Sequence, residues 1–144
     1  MTDARVSNAV DTGLMLLRIG IGVMFILHGL PKLTGGQAAW TTVGKAVGVF
    51  GITFAPTAWG FMAAFSEAIG GLFLVLGVFV RPFSFLMLCV MVVATSMHVS
   101  QNADFATVSH PIEAGIVFLA LMVAGGGDFG LGHIVMPLRN TWYQ

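Results

Sequence analysis

Charge is what this sequence has least of. Among its 144 residues six are Lys or Arg and six are Asp or Glu, so charged residues make up 8% of the chain, against about 25% in ordinary soluble proteins. Twelve charged side chains are too few to cover a soluble domain of this size. The formal net charge of zero also excludes the basic surface with which proteins bind nucleic acid.

Cysteine is nearly absent, since Cys89 is the single one. This excludes an internal disulfide and every zinc or redox motif that needs two neighbouring cysteines. The chain also lacks a phosphate-binding loop, a dinucleotide glycine fingerprint after a strand, and a His-Glu-x-x-His zinc motif. No family-independent catalytic signature therefore identifies a reaction.

Apolar residues are abundant, at 57% of the chain, and the mean hydropathy is +0.93. They form four segments of spanning length, at about residues 12–31, 58–80, 82–100 and 109–126. A helix needs about 20 residues to cross a bilayer, and within lipid each segment must satisfy its own backbone hydrogen bonds. The sequence therefore predicts an all-α membrane protein, a four-helix transmembrane bundle formed by one integral-membrane domain over residues 1–144.

Two features refine this prediction. The first segment is longer than the apolar part of a signal peptide and contains Arg18, so we expect it to be a true span. Between spans 1 and 2, Trp40, Val43, Val47 and Phe50 recur at near-helical spacing. This pattern predicts a short interfacial or re-entrant helix.

Basic residues near the span ends predict the orientation. With a cytoplasmic amino terminus, Arg5, Arg81 and Arg139 lie inside, while Lys32 and Lys45 lie outside. The excess of inside charge favours an orientation with both termini in the cytoplasm.

A few ionisable residues lie within the apolar spans, where they are costly and usually face the bundle interior. Counting helix rise from the outer end places His28, His98 and Glu113 at roughly 5–6 Å depth and Glu67 at about 13 Å. Arg18 lies nearer the inner face, and we expect it to pair with Glu67 or with helix carbonyls. The residues of interest are Arg18, His28, Lys32, Glu67, His98, His110 and Glu113.

The equal depths predict one polar pocket in the outer half of the bundle. His28 and Glu113 should share it, with His98 nearby and with Phe25 and Phe65 closing it below. Each histidine is also open to a simpler interpretation as a wet boundary residue, and Lys32 to one as a boundary anchor. Glu67 is harder to explain in this way, because a carboxylate near the midplane must be protonated, paired or hydrated.

Metal or haem binding is a weak alternative. Two His and one or two Glu suit zinc or non-haem iron. However, only His110 and Glu113 have ligand spacing on one helix, at the mouth of the fourth span, and haem between His28 and His98 rests on depth alone. We therefore expect neither a metal nor a haem.

The motifs around these residues resemble those of the DoxX family, small four-span membrane proteins, over nearly the whole chain. The matching elements are Arg18 followed by His28-Gly29-Leu30-Pro31-Lys32, then Gly51-Ile52 with Pro56, then Glu67-Ala68-Ile69-Gly70-Gly71, Gly77 and Arg81-Pro82, and finally Glu113. The ending departs from the family pattern, because this chain has Gly127-Asp128-Phe129-Gly130 where a Ser-x-Asp ending is common.

The resemblance implies a redox role, because family members are described as subunits of thiosulfate:quinone oxidoreductase or of other membrane oxidoreductase complexes. We therefore expect a redox-complex subunit of a bacterial-type inner membrane that contacts a quinone or small reduced substrate through His28, Lys32, Glu67 and Glu113, together with a partner redox protein or a second copy. His98 is added to this site from its depth alone. Two alternatives stay open: a structural or assembly subunit without chemistry, and a small-molecule transporter.

Overall fold

The computed structural model describes residues 2–132; Arg139 and Trp142 lie outside this range. The described part is built from α1 (Thr2–Thr34), α2 (Gly36–Gly44), a 3-10 helix (Lys45–Phe50), α3 (Pro56–Leu76), α4 (Val80–Ser100) and α5 (Phe105–Ala124). The helices α1 (over Asn8–Thr34), α3, α4 and α5 are each long and apolar enough to cross a membrane. The predicted four-span helical bundle, with a short helix between spans 1 and 2, is confirmed.

The first helix is longer than its apolar segment at both ends. It begins at Thr2 because nothing between there and the apolar run stops a helix. It also continues through Pro31, where the sequence predicted its end, and stops only at Gly35 and Gly36. A proline removes one N–H from the ladder, and in the last turn of α1 this loss is tolerated. The extra turn carries Lys32 on a helix rather than in a loop.

The turn between α3 and α4 also lies earlier than predicted. α3 ends at Leu76 because Gly77 takes a left-handed conformation, with φ of 68°, which is a common helix terminator. α4 then begins at Val80, which places Pro82 in its first turn. Proline fits there, because the first N–H groups of a helix have no partner within it.

The last span begins at Phe105, four residues before the predicted start at Ser109. Asp104 precedes it in an extended conformation and accepts a hydrogen bond from the Thr107 hydroxyl. This hydrogen bond lowers the pKa of Asp104 below its ordinary value. The first turn, residues 105–108, directly follows the polar residues Gln101, Asn102 and Asp104 and was therefore assigned to the loop, but it belongs to the helix.

The four spans alternate in direction, so α1 ends, α3 begins, α4 ends and α5 begins at one end of the bundle. We call this the upper end. α1 packs mainly on α3 and α5 mainly on α4, while α1 and α5 meet at only a few positions. α2 lies across the start of α3, where Gly60 is so close to the Trp40 carbonyl that a side chain at position 60 would overlap it. Gly60, Ala64 and Ala68 repeat at every fourth position of α3, and all three are buried, as expected of small residues at helix contacts.

The core lies between α1, α3, α4 and α5. Its buried side chains are Phe25, Leu74, Val80, Met87, Met91, Phe118 and Leu121. Phe25 and Phe118 meet edge to face, with ring centroids 4.8 Å apart, an arrangement that aromatic quadrupoles favour. This contact ties α1 to α5 below the upper end. His28, Lys32 and Glu67 lie above it, whereas Arg18 lies below it.

Candidate functional site

An ion pair between α1 and α3 is the central feature of the upper half. The Lys32 ammonium donates to both carboxylate oxygens of Glu67, at 2.8 and 2.6 Å. The Glu67 side chain is 3% exposed and that of Lys32 is 35% exposed. A buried carboxylate needs such a partner because desolvation penalises its charge. The long lysine stem can reach from the upper end to provide it.

A glycine makes this ion pair possible. A Cβ atom at Gly29 would lie 2.7 Å from Glu67 Cβ and closer still to the backbone of Ala68. Without that atom, α1 and α3 approach until their backbones touch. Lys32 lies three residues after Gly29, just under one helical turn above the contact, and faces Glu67.

Glu67 is therefore not a turn or two below His28, as depth counting predicted, but at the level of Gly29. The prediction ended α1 at Pro31 and began α3 at residue 58. In the structure α1 reaches Thr34 and α3 starts at Pro56, so both helices extend further at the upper end. The two extensions nearly cancel, and depth counting failed for another reason. α3 begins eleven residues before Glu67, whereas α1 ends five residues after Gly29, so the two helix ends do not lie at one level.

The expected pairing of Arg18 with Glu67 was wrong. Arg18 is buried, at 1% exposure, but its guanidinium donates to the Phe129 carbonyl and lies against Gly77 and Gly130 at the lower end. Gly77 is ten residues from Glu67, about 15 Å along α3. Glu67 lies beside Lys32 near the upper end, so the distance along the bundle from Glu67 to Arg18 is larger than the sequence indicated. Within residues 2–132, the Arg18 Nε and Nη1 atoms have no hydrogen-bond acceptor.

The ring of His28 is held by its own helix. Its Nδ1 lies 2.8 Å from the Met24 carbonyl oxygen, which can only accept a hydrogen bond. Nδ1 must therefore carry the proton, and in the neutral ring Nε2 is left as an acceptor. The ring also lies beside Phe25, with centroids 6.1 Å apart.

A cavity of about 420 Å³ opens between α1 and α5 at the upper end, and we call it the seam cavity. It is lined by apolar side chains, among them Phe25 and Met91, and by ionisable side chains from three helices. The ionisable group comprises His28, Lys32, Glu67, His110 and Glu113. We expected His28 and Glu113 to share one pocket. Both side chains line this cavity, and so does Phe25. Phe65 is not among the lining residues.

His98 lies on a second cavity, of about 530 Å³, which we call the α3–α4 cavity. It is enclosed by α2, the 3-10 helix, α3 and α4, and most of its wall is apolar. Lys32 and Glu67 also line it, so the ion pair lies between the two cavities. His98 was expected beside His28 and Glu113, but α4 turns it to the other side of the ion pair.

His110 is a pocket residue that counting depths from the sequence missed. Its spacing of three from Glu113 was visible, and it places both side chains on one face of α5. With α5 starting at Phe105, both residues lie deeper in the helix than expected, and both line the seam cavity.

Neither cavity contains a ready metal site. Within the described residues, no three His, Cys, Asp or Glu side chains lie close enough together to hold an ion. The two glutamates and two histidines of the seam cavity instead line an open space of about 420 Å³. They supply hydrogen-bond donors and acceptors and can exchange protons.

Four spans with short connections, a buried ion pair and a cavity between weakly packed helices define a multi-pass helical membrane protein with an intramembrane polar site. The model of the DoxX family matches residues 13–100, which is more than half of the chain. The protein belongs to the DoxX family.

The match covers α1 to α4 with His28, Lys32, Glu67 and His98, but not α5 with Glu113. The polar wall that α5 contributes to the seam cavity is therefore outside the matched region. No curated protein and no solved structure gives a significant match to the chain.

Proposed function

We propose that the protein is a DoxX-type subunit of a membrane redox complex and that it binds a quinone headgroup in the seam cavity. The observation that carries this proposal is the convergence of five ionisable side chains from three helices on one cavity in an otherwise apolar bundle. Mostly apolar pockets with a few converging polar groups are typical of small-molecule sites.

The polar groups suit both redox forms of a quinone. A quinone carbonyl accepts hydrogen bonds, which the Lys32 ammonium can donate. A quinol hydroxyl donates, and the Nε2 atom of His28 can accept. Interconversion of the two forms moves two electrons and two protons. His28 and Glu113 are the groups that we expect to exchange those protons with water at the upper end, and a partner redox protein is the source or acceptor of the electrons.

Access from the bilayer also supports a membrane-soluble ligand. The seam cavity lies between α1 and α5, which have few contacts with each other, so a ligand dissolved in lipid can reach it sideways. Phe25 lies next to His28 and provides an apolar surface below the quinone ring. An isoprenoid tail would then remain in lipid outside the seam.

We place the protein in a bacterial-type inner membrane with both termini in the cytoplasm. Arg5, Arg81 and Arg139 near the inner span ends outnumber Lys32 and Lys45 near the outer ones, and basic residues favour the cytoplasm. Reporter fusions at both termini test this orientation.

Binding of a short-tailed quinone to the full chain in nanodiscs tests the proposal. We expect Lys32→Gln and His28→Ala to raise Kd at least tenfold. Lys45→Gln is the matched control, because Lys45 is exposed and lines neither cavity. Absence of saturable binding, or equal Kd values for Lys32→Gln and Lys45→Gln, would refute the proposal.

One observation favours the structural alternative, namely that the ion pair joins two helices in direct backbone contact at Gly29. If Lys32 and Glu67 only hold helices together, their substitution should reduce membrane insertion or complex recovery, and His28→Ala should leave both insertion and quinone binding unchanged.

A further inference from the structure

The indole nitrogen of Trp59 is buried, and no atom of residues 2–132 accepts its hydrogen bond. Trp40, by contrast, donates its indole N–H to the Lys32 carbonyl at 3.0 Å. A buried donor without an acceptor is costly, so Trp59 calls for an acceptor from beyond residues 2–132. Trp59 belongs to the wall of the α3–α4 cavity, which can supply the space for one.

The α3–α4 cavity has the length of a lipid chain. One face of α4 lines it from Leu86 to His98, and the twelve helix rises between these residues span about 18 Å. One leaflet of a hydrocarbon core is about 15 Å thick. At about 30 Å³ for each group the size of a water molecule, 530 Å³ holds roughly 18 such groups, comparable to one long acyl chain.

The cavity is partly open, and α2, the 3-10 helix, α3 and α4 all contribute to its wall. Thr42 and Val43 of α2, and Val47 and Phe50 of the 3-10 helix, lie opposite α4. Its middle is apolar, so water would find too few partners there. A dry space of this size left empty would also forfeit packing.

The charged residues near the cavity indicate which polar group a molecule bound in it would have. Lys32 and Glu67 neutralise each other in the wall, so the group beside Trp59 needs no charge of its own, and an ester carbonyl is sufficient. Lys45 is exposed and lies between Gly44 and Ala46, both of which line the cavity. Its ammonium group is placed to meet a phosphate at the membrane surface.

We propose that the α3–α4 cavity holds one acyl chain of an anionic phospholipid, whose ester carbonyl accepts a hydrogen bond from Trp59. Trp59 lies in the first turn of α3 at the upper end, the level at which tryptophan meets the lipid interface. The proposal is independent of quinone binding, because the seam cavity lies on the other side of the Lys32–Glu67 pair.

Quenching of Trp59 by a brominated lipid tests this site. The full chain with Trp40→Phe and Trp142→Phe keeps Trp59 as its single tryptophan. Titration in detergent with phosphatidylglycerol brominated at mid-chain should give saturable quenching at one lipid per protein. In this background Val93→Phe, which fills the cavity, should raise Kd at least tenfold. Val99→Phe, on the exposed face of α4, should change it less than twofold.

Native mass spectrometry gives a second measurement that does not depend on the cavity-filling variant. Trp59→Phe removes the donor and keeps the aromatic ring, so retention of phosphatidylglycerol should fall about three- to tenfold. Lys45→Gln should reduce the preference for phosphatidylglycerol over phosphatidylcholine. Retention unchanged by Trp59→Phe, quenching that never saturates, or displacement of the lipid by stoichiometric quinone would each overturn the assignment.

Discussion

Lys32 donates to both carboxylate oxygens of Glu67 across the contact between α1 and α3, and the two residues are unequally buried. Lys32 keeps a route to water at the upper end, whereas Glu67 has none. The ion pair therefore provides the buried carboxylate with its countercharge. It also lies in the walls of both cavities, so a change in either cavity can act on it.

Removing either partner should test this asymmetry. Lys32→Met leaves Glu67 as a buried, uncompensated charge, and losing one partner of a buried pair costs about 3–5 kcal/mol. Glu67→Leu should cost less, because Lys32 can extend into water. The double variant should recover much of the loss. Unfolding by SDS in mixed micelles measures all four proteins. Additive losses would contradict a direct interaction.

Gly29 should be intolerant of a side chain. A Cβ atom there would collide with Glu67 and the Ala68 backbone, so Gly29→Ala should destabilise the bundle by about 1–3 kcal/mol through overpacking. It should also weaken the ion pair by separating α1 from α3.

Gly20→Ala is the matched control on the same helix. A Cβ atom at Gly20 would meet no other atom within 4 Å, so the substitution should be neutral or stabilising by up to about 1 kcal/mol. SDS unfolding compares the two variants. Equal stabilities would mean that the close approach at Gly29 is not required.

Arg18 and Gly77 make a corresponding contact at the lower end. An alanine at Gly77 would need a left-handed backbone, with φ of 68°, and would overlap the Arg18 guanidinium. The left-handed backbone should lower the free energy of unfolding by about 1–2 kcal/mol. The overlap with Arg18 should lower it by about a further 1–3 kcal/mol. Gly36→Ala isolates the first cost, since Gly36 has φ of 69° and open space around it. If the melting temperature falls no further for Gly77→Ala than for Gly36→Ala, the close contact between Arg18 and Gly77 does not contribute to stability.

The spans could be predicted from the sequence because segment length and composition determine them. The partner of Glu67 could not, because it depends on where α1 ends. With Pro31 taken as the end, Lys32 became a boundary anchor, but the helix continues to Thr34 and carries Lys32 to Glu67.

The position of His98 illustrates a second limit. α4 is apolar around most of its circumference, so its sequence does not indicate which face meets which neighbour. Depth alone grouped His98 with His28. Rotation of α4, fixed by packing against α3, α5 and the 3-10 helix, separates them.

The tautomer of His28 gives the sharpest test of the seam cavity. Its Nδ1–H donates to the Met24 carbonyl, which leaves Nε2 to accept a hydrogen bond from a bound quinol. His28→Asn keeps a donor near the Nδ1 position and has no atom near Nε2. His28→Gln can place its amide oxygen near Nε2. We therefore expect the Asn variant to bind quinol about tenfold more weakly and the Gln variant to stay within about threefold.

The same two substitutions at His98 are the control, because His98 lines only the α3–α4 cavity. Both should leave quinol binding unchanged. Quinol titration of the four variants in nanodiscs, with membrane insertion checked by gel filtration of the solubilised protein, measures these effects. Equal binding by His28→Asn and His28→Gln would show that Nε2 does not contact the ligand. A larger loss at His98 than at His28 would move the headgroup to the other side of the Lys32–Glu67 pair.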